Sequence, residues 1–234
     1  MRGVLMLIPV LIWTFVCAIL GILIRIFRRA DQSVLITGHY FWAPVVLYLL
    51  GIKLKITGKE NLTNLPSIYV ANHTSQLDIP IISACIPRGL FFVAKQELSK
   101  IPILGQYMHL MGMIFVDRGN KEKAIQSMEI AAKKVKKGKN LVTFPEGTRG
   151  NGNSLLPFKK GSFVIAQKGG IPLIPVAIKG AGKALPKGSF IAHSTTIHVH
   201  ILAPIMPSEH AELSIADFAK LAQEKIKFAL YNNK

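Results

Sequence analysis

Residues 67–80 carry the pattern that decides the fold, and they read SIYVANHTSQLDIP. The first five residues are apolar enough for a strand at the centre of a sheet. A polar turn follows from Asn72, and a helix is expected to start near Ile79-Pro80. The stretch therefore predicts a strand, a turn and a helix in succession, which is the repeating unit of an α/β fold.

Other segments of strand length recur along the chain. Between residues 52 and 57, apolar side chains alternate with lysine and threonine, as in a half-buried strand. Further strands are expected at residues 90–94, 112–116, 141–144, 173–178 and 195–202. Two helices are expected among them, one from an N-cap at Asn120 to a stop at Gly138, and one after the capping pair Ser214 and Asp217. This alternation predicts an α/β domain, a sheet flanked by helices, over residues 52–234.

The first 51 residues form a different region, because they are predominantly apolar. Residues 4–24 contain no charged side chain, and as a helix they would extend about 32 Å, enough to cross a hydrocarbon core of about 30 Å. A second uncharged stretch is strongly apolar only from Tyr40 to Ile52 and is too short for a full span. We therefore expect a membrane-anchoring helical segment over residues 1–51. Two arrangements fit this pattern. One is a spanning helix followed by a surface helix, and the other is a helical hairpin inserted into one leaflet.

The flanks of the first apolar stretch favour an anchor over a signal peptide. The stretch is longer than a signal peptide requires, and no small-residue cleavage site follows it. Arginine is more abundant after Ile24 than before the stretch, which predicts that the following domain remains on the cytoplasmic side. The expected location is the inner membrane of the cell, with the domain on its cytoplasmic face.

The chain is both apolar and strongly cationic. It has 50% hydrophobic residues and a formal net charge of +17, so intrinsic disorder is excluded, and its two cysteines exclude a disulfide scaffold. Residues 1–51 hold four arginines and one aspartate, so most of the positive charge belongs to the domain. Its lysine-rich segment, residues 133–139, is either a solvated helix end or a contact for anionic membrane lipids. Nucleic acid is not an expected partner, because no nucleic-acid-binding motif is present.

Several predicted strands end in residues capable of chemistry. On one continuous helix, His73 and Asp78 would point about 140° apart, so they meet only if His73 precedes the helix and Asp78 lies in its first turn. Aspartate then holds one imidazole nitrogen and leaves the other to accept a proton; otherwise Asp78 is a cap and His73 a loop residue. Lys95, Arg118 and Arg149 follow other predicted strands, and cations at strand ends favour an anionic substrate.

Four blocks in order resemble the glycerolipid acyltransferase family, and within it the bacterial 1-acylglycerol-3-phosphate acyltransferases. Residues 72–78 match its His-x-x-x-x-Asp block, and residues 112–118 resemble G-x-I-F-I-D-R. Residues 144–149 are identical to F-P-E-G-T-R, and residues 171–177 resemble V-P-I-x-P-V. The similarity extends from about residue 52 to residue 180. Four blocks in the family's order are far more specific than any single block.

The resemblance implies transfer of an acyl chain from acyl-CoA or acyl carrier protein to the sn-2 hydroxyl of lysophosphatidic acid, giving phosphatidic acid. It implies that His73 is the general base and that Asp78 orients and stabilises its imidazolium. The implied substrate-binding residues are Lys95, Arg118, Glu146, Gly147, Thr148 and Arg149. The hydroxyl attacks the thioester directly, so the family's reaction needs no enzyme nucleophile. It implies no metal and no cofactor other than the acyl donor.

Other functions stay open at this point. His193, His198 and His200 fit a membrane-anchored metal-dependent hydrolase, although no nearby cysteine or carboxylate has ligand spacing. A non-enzymatic protein that binds membranes through its basic surface is a second alternative. Within the acyltransferase interpretation, the acceptor is lysophosphatidic acid, glycerol-3-phosphate or another lysolipid.

Overall fold

The computed structural model describes residues 6–28, 38–117 and 119–232. Within them, seven strands form one sheet: β1 (Ile52–Thr57), β2 (Ile68–Ala71), β3 (Leu90–Lys95), β4 (Ile114–Val116), β5 (Asn140–Thr143), β6 (Leu173–Lys179) and β7 (Thr195–Ile201). The α-helices are α1 (Leu7–Arg28), α2 (Ala43–Leu49), α3 (Asp78–Cys85), α4 (Leu104–Leu110), α5 (Lys121–Lys136), α6 (Gly161–Gly169), α7 (Ala181–Ala184) and α8 (Ile215–Tyr231). The predicted α/β class is confirmed.

The order of the strands places β2 near the middle of the sheet. That order is β1-β7-β6-β2-β5-β3-β4. Strands β6, β2, β5, β3 and β4 run parallel to one another, whereas β7 is antiparallel to β6 and β1 is parallel to β7. The carboxyl ends of these five parallel strands therefore lie along one edge, which we call the C-terminal edge. In open α/β sheets, ligands bind at this edge.

Helices cover both faces of the sheet. All four residues of β2 are buried, as the sequence predicts for a central strand. On one face, α2 and α3 contribute Val46 and Ile82 to the core. On the other face, α5, α6 and α8 contribute Ala131, Phe163 and Phe218. Packing on two faces explains why the parallel strands are continuously apolar.

The predicted ends of the elements are mostly confirmed. Asn120 Oδ1 accepts the backbone N–H of Lys123 at 3.0 Å as the N-cap of α5, and Ser214 caps α8. The predicted first residue of β4 is wrong, because the strand begins at Ile114 and not at residue 112. Gly112 has a φ of 74° and its N–H donates to the carbonyl of His109, so it ends α4 and cannot extend the strand.

Helix α1 has one packed face and one exposed apolar face. Ala18 and Gly21 lie on the packed face, and a Cβ at Gly21 would overlap the ring of Tyr107 in α4. The exposed face carries Ile8, Leu11, Ile12, Val16, Ile19, Leu20, Leu23, Ile26 and Phe27. Within the described part of the chain, residues 7–27 are the helical stretch long and apolar enough to cross a membrane. This apolar helix is a candidate membrane anchor.

Candidate active site

His73 and Asp78 are in direct contact at the C-terminal edge. Asp78 Oδ2 lies 2.8 Å from His73 Nδ1. Asp78 is fully buried, and the His73 side chain is 15% exposed. Because a carboxylate oxygen only accepts hydrogen bonds, Nδ1 donates and the lone pair of the neutral ring lies on Nε2. The arrangement leaves Nε2 available to take a proton from a bound hydroxyl.

The start of α3 explains how two residues five positions apart meet. The helix begins at Asp78, so His73 lies in the preceding loop, as the strand–turn–helix prediction requires. Asp78 does not cap its own helix, since Oδ2 accepts the backbone N–H groups of Thr74 at 2.7 Å and Ser75 at 2.9 Å. The loop that carries His73 therefore wraps around the Asp78 carboxylate, and these hydrogen bonds fix the path of its main chain.

Glu146 holds the main chain of His73 from the opposite side. Its Oε1 accepts the His73 N–H at 2.7 Å, and its Oε2 accepts the Leu156 N–H at 2.9 Å. The carbonyl of His73 in turn accepts the N–H of Gly150 at 2.8 Å. Burial raises the pKa of the Glu146 carboxyl, and the hydrogen bonds from His73 and Leu156 oppose this increase. One carboxylate oxygen thus joins the β5–α6 loop to the histidine, and the other joins two parts of the loop to each other.

Two further contacts position this site. The ring of Phe144 stacks on the imidazole of His73, with 4.2 Å between ring centroids and 19° between planes. Asn72 joins the end of β2 to β6, because its side-chain amide donates to the Ile178 carbonyl at 2.9 Å and accepts the Ile178 N–H at 2.8 Å. Sequence reasoning noted both residues only as parts of family blocks and assigned them no role.

The predicted cations have different surroundings. Lys95 ends β3 and forms a 2.7 Å ion pair with Glu97, with both side chains largely exposed. Arg118 lies outside the described residues. Arg149 is half-buried and lines a cavity that borders Thr74. Lys95 is not among the residues that line this cavity.

The remaining residues of the β5–α6 loop have distinct surroundings. Gly147 has a φ of 71°, a backbone conformation that favours glycine. Thr148 is exposed.

Neither the buried cysteine nor the histidines of the metal-dependent hydrolase hypothesis form a comparable site. Burial raises the pKa of Cys85 to about 12, so its thiol is protonated at neutral pH. His200 Nδ1 lies 2.8 Å from Thr57 Oγ1, and burial lowers the pKa of this histidine. Among the residues that the structure describes, no group of three or more His, Cys, Asp or Glu side chains could hold a metal ion. The metal-dependent hydrolase hypothesis therefore has no ligand set within these ranges.

A buried aspartate, a histidine in a loop after a central strand and a glutamate that clamps that loop are the elements of an acyltransferase site. The family model described as "Acyltransferase" matches residues 53–179. Since this is more than half of the chain, the protein belongs to the acyltransferase family, and the resemblance noted in its sequence blocks is confirmed.

Two similar proteins and one solved structure cover almost the whole chain. A Saccharomyces cerevisiae protein named 1-acyl-sn-glycerol-3-phosphate acyltransferase is 34% identical over 97% of this chain and 75% of its own length. The Escherichia coli protein of the same name is 31% identical over 91% of this chain and 86% of its own length. The crystal structure of the 1-acyl-sn-glycerophosphate (LPA) acyltransferase PlsC from Thermotoga maritima superposes with a TM-score of 0.81 and is 28% identical, covering 98% and 96% of the two chains.

Proposed function

We propose that the protein transfers an acyl chain from an acyl thioester to the sn-2 hydroxyl of 1-acylglycerol-3-phosphate, giving phosphatidic acid. Membership of the acyltransferase family and relatives of this name that cover nearly the whole chain support the proposal. The observation that carries it is the His73–Asp78 contact of 2.8 Å. A general base of this kind is what direct attack by a hydroxyl on a thioester requires.

The mechanism follows from this contact. His73 Nε2 removes the proton of the sn-2 hydroxyl as the oxygen attacks the thioester carbonyl. The C–S bond of the resulting tetrahedral intermediate then breaks, and the thiolate leaves with the proton from the imidazolium. Asp78 stabilises the imidazolium between these steps, because its buried carboxylate accepts the hydrogen bond from Nδ1–H while the proton remains on the ring. No enzyme thiol takes part, which agrees with the high pKa of Cys85.

We assign substrate binding to the cations and to the β5–α6 loop. Lys95, Arg118 and Arg149 supply positive charge for the phosphate groups of the two substrates. Gly147 and Thr148 shape the approach to the acceptor, and Glu146 does so indirectly by fixing the main chain of His73. Acyl-CoA and acyl carrier protein are both acidic, so both fit the positive charge of the domain as donors.

A direct assay of the purified protein tests this function. With 1-acylglycerol-3-phosphate in micelles and either acyl-CoA or acyl carrier protein charged with an acyl chain, we expect phosphatidic acid and free thiol in equal amounts. Glycerol-3-phosphate in place of the lysolipid is the comparison, and its faster acylation would identify it as the preferred acceptor. Thioester hydrolysis without acyl transfer to any acceptor would contradict the proposal.

We propose that residues 1–51 anchor the enzyme in the inner membrane and that residues 52–234 form the catalytic domain on its cytoplasmic face. The exposed apolar face of α1 supports this location. Its other face packs on α4, which follows β3 at the C-terminal edge. The lysine-rich end of α5 precedes β5 and so lies toward the opposite edge, and Lys134 there donates to the carbonyl of Gly112. We therefore assign membrane attachment chiefly to the apolar face of α1.

Acidic substitutions on that face test the anchor. Ile12 and Leu20 are 60% and 50% exposed, and we expect Ile12→Asp with Leu20→Asp to weaken vesicle binding at least about tenfold, since an aspartate costs about 2.5–3.5 kcal/mol when fully inserted. Flotation with phospholipid vesicles measures the change. Ile125→Asp on α5 is the matched control, because Ile125 is 52% exposed away from α1, and it should bind as the wild type does. Equal binding by all three proteins would contradict the assignment.

A further inference from the structure

A cavity borders the proposed catalytic histidine on the β6 side. It has a volume of about 370 Å³. Its lining consists of Thr74, Arg149, Gly150, Asn151, Gly182, Pro186 and Lys187. Thr74 directly follows His73, so a ligand in this cavity would lie beside the catalytic loop. Lys187 follows α7 and belongs to none of the sequence blocks that resemble the acyltransferase family.

The charged residues of this cavity are all positive. Arg149 and Lys187 are present, and no carboxylate is among the lining residues. Two carboxylates lie behind the lining: Asp78 Oδ2 accepts the N–H of Thr74 at 2.7 Å, and a Cβ at Gly150 would lie 3.3 Å from Oε2 of Glu146. Its two oxygens accept the N–H groups of His73 and Leu156 and so are already hydrogen-bonded. An anion in the cavity therefore meets two cations without a competing carboxylate in the lining.

Lys187 is held at the turn that carries Arg149. Its Nζ donates to the carbonyl oxygen of Arg149 at 3.1 Å. An ammonium group has three N–H donors, so two remain for a ligand after this bond. The contact places the ammonium group beside the main chain of Arg149. A guanidinium fork beside an ammonium group is well suited to a phosphate.

The cavity depends on a small residue in α7. A Cβ at Gly182 would lie 3.1 Å from Cβ and 3.2 Å from Oγ1 of Thr74. These separations are tighter than ordinary van der Waals contact, so a larger residue at this position would press on the loop and fill the space. Glycine at position 182 thus keeps open the space between α7 and the catalytic loop.

We infer that Lys187, together with Arg149, binds the phosphate group of the acceptor, and that this lysine helps the enzyme to select a phosphorylated acceptor. The inference rests on the proposed function, because it takes the reacting hydroxyl to lie at His73 Nε2. In 1-acylglycerol-3-phosphate, two carbons and one ester oxygen separate the phosphorus from that hydroxyl oxygen, and the cavity is lined by the residue after His73. In either donor, a whole pantetheine arm separates the thioester from the nearest phosphate. The short spacer between hydroxyl and phosphate therefore favours the acceptor over the donor.

Steady-state kinetics of Lys187→Ala test this assignment. A charge-assisted hydrogen bond between an ammonium group and a phosphate is stronger than a neutral one, so we expect the KM for 1-acylglycerol-3-phosphate to rise about tenfold or more. The kcat and the KM for the acyl donor should stay within about twofold, because the lysine is not expected to touch the reacting atoms or the donor. Lys187→Arg should restore most of the affinity, since it retains the charge and the donors. With 1-acylglycerol, which lacks the phosphate, the wild type and Lys187→Ala should react at equal rates.

Lys183→Ala is the matched control, because Lys183 is exposed on α7 and does not line the cavity. An unchanged KM for the lysolipid in Lys187→Ala, with the wild type fully active, would overturn the inference and leave the proposed function standing. A higher KM for the donor alone would overturn the assignment to the acceptor. A wild type that makes no phosphatidic acid would instead overturn the proposed function.

Discussion

In the His73→Ala variant, we expect the kcat for phosphatidic acid formation to fall by about 10²- to 10⁴-fold, which is the usual contribution of a general base. The imidazole is the group in this site that can take the hydroxyl proton at neutral pH, and its Nδ1 is already bonded to Asp78 at 2.8 Å. Binding of both substrates should change little, because their phosphate groups contact other residues. Release of free thiol and formation of phosphatidic acid, measured at saturating substrates, give the change in kcat.

Two further variants separate chemistry from structure. His73→Asn retains an N–H that can donate to Asp78 but has no basic nitrogen, so we expect it to be as inactive as His73→Ala. His198→Ala replaces a histidine on β7, in a strand that neither supplies nor contacts the catalytic loop, and it should retain wild-type kcat. Full activity in both His73 variants would contradict the mechanism. Loss of activity in His198→Ala with full activity in the His73 variants would assign the essential histidine to β7 and contradict the mechanism as well.

The fold was predictable because its signals are local. The apolar residues of β2 and the alternation in β1 are fixed by burial, and the caps at Asn120 and Ser214 are satisfied within one turn. Apolar content did not predict the start of β4. Gly112 has a positive φ and ends helix α4, so it does not belong to the strand. Patterns within one element are thus easier to interpret than the boundary between two elements.

The site was predictable only in part, because sheet order brings its residues together. The spacing of His73 and Asp78 permitted contact only with a helix start at or near Asp78, and the structure has this start. The sequence around Lys187 does not predict its place in the site. The lysine reaches Arg149 only because the sheet places β6 beside β2.

Asp78→Asn should cause the second large loss, about 10²- to 10⁴-fold in kcat, with little change in either KM. The oxygen of asparagine can still accept hydrogen bonds, but it carries no charge to stabilise the imidazolium. If the amide nitrogen faces His73 instead, it donates to Nδ1 and forces the proton onto Nε2, where it prevents proton abstraction. Initial rates with varied lysolipid and donor separate kcat from KM. Asp217→Asn at the start of α8 is the matched control and should be fully active.

A variant that combines His73→Ala with Asp78→Asn distinguishes the proposed role of Asp78 from a purely structural one. Asp78 acts through His73 in the proposed mechanism, so once the imidazole is absent its charge has nothing to stabilise. We therefore expect the kcat of His73→Ala with Asp78→Asn to equal that of His73→Ala alone, because residues that act as one unit are not additive. If Asp78 only closed the loop through Thr74 and Ser75, its loss would disorder the site further and lower the rate again. A multiplied loss in the double variant would thus contradict the positioning role and leave Asp78 as a structural residue.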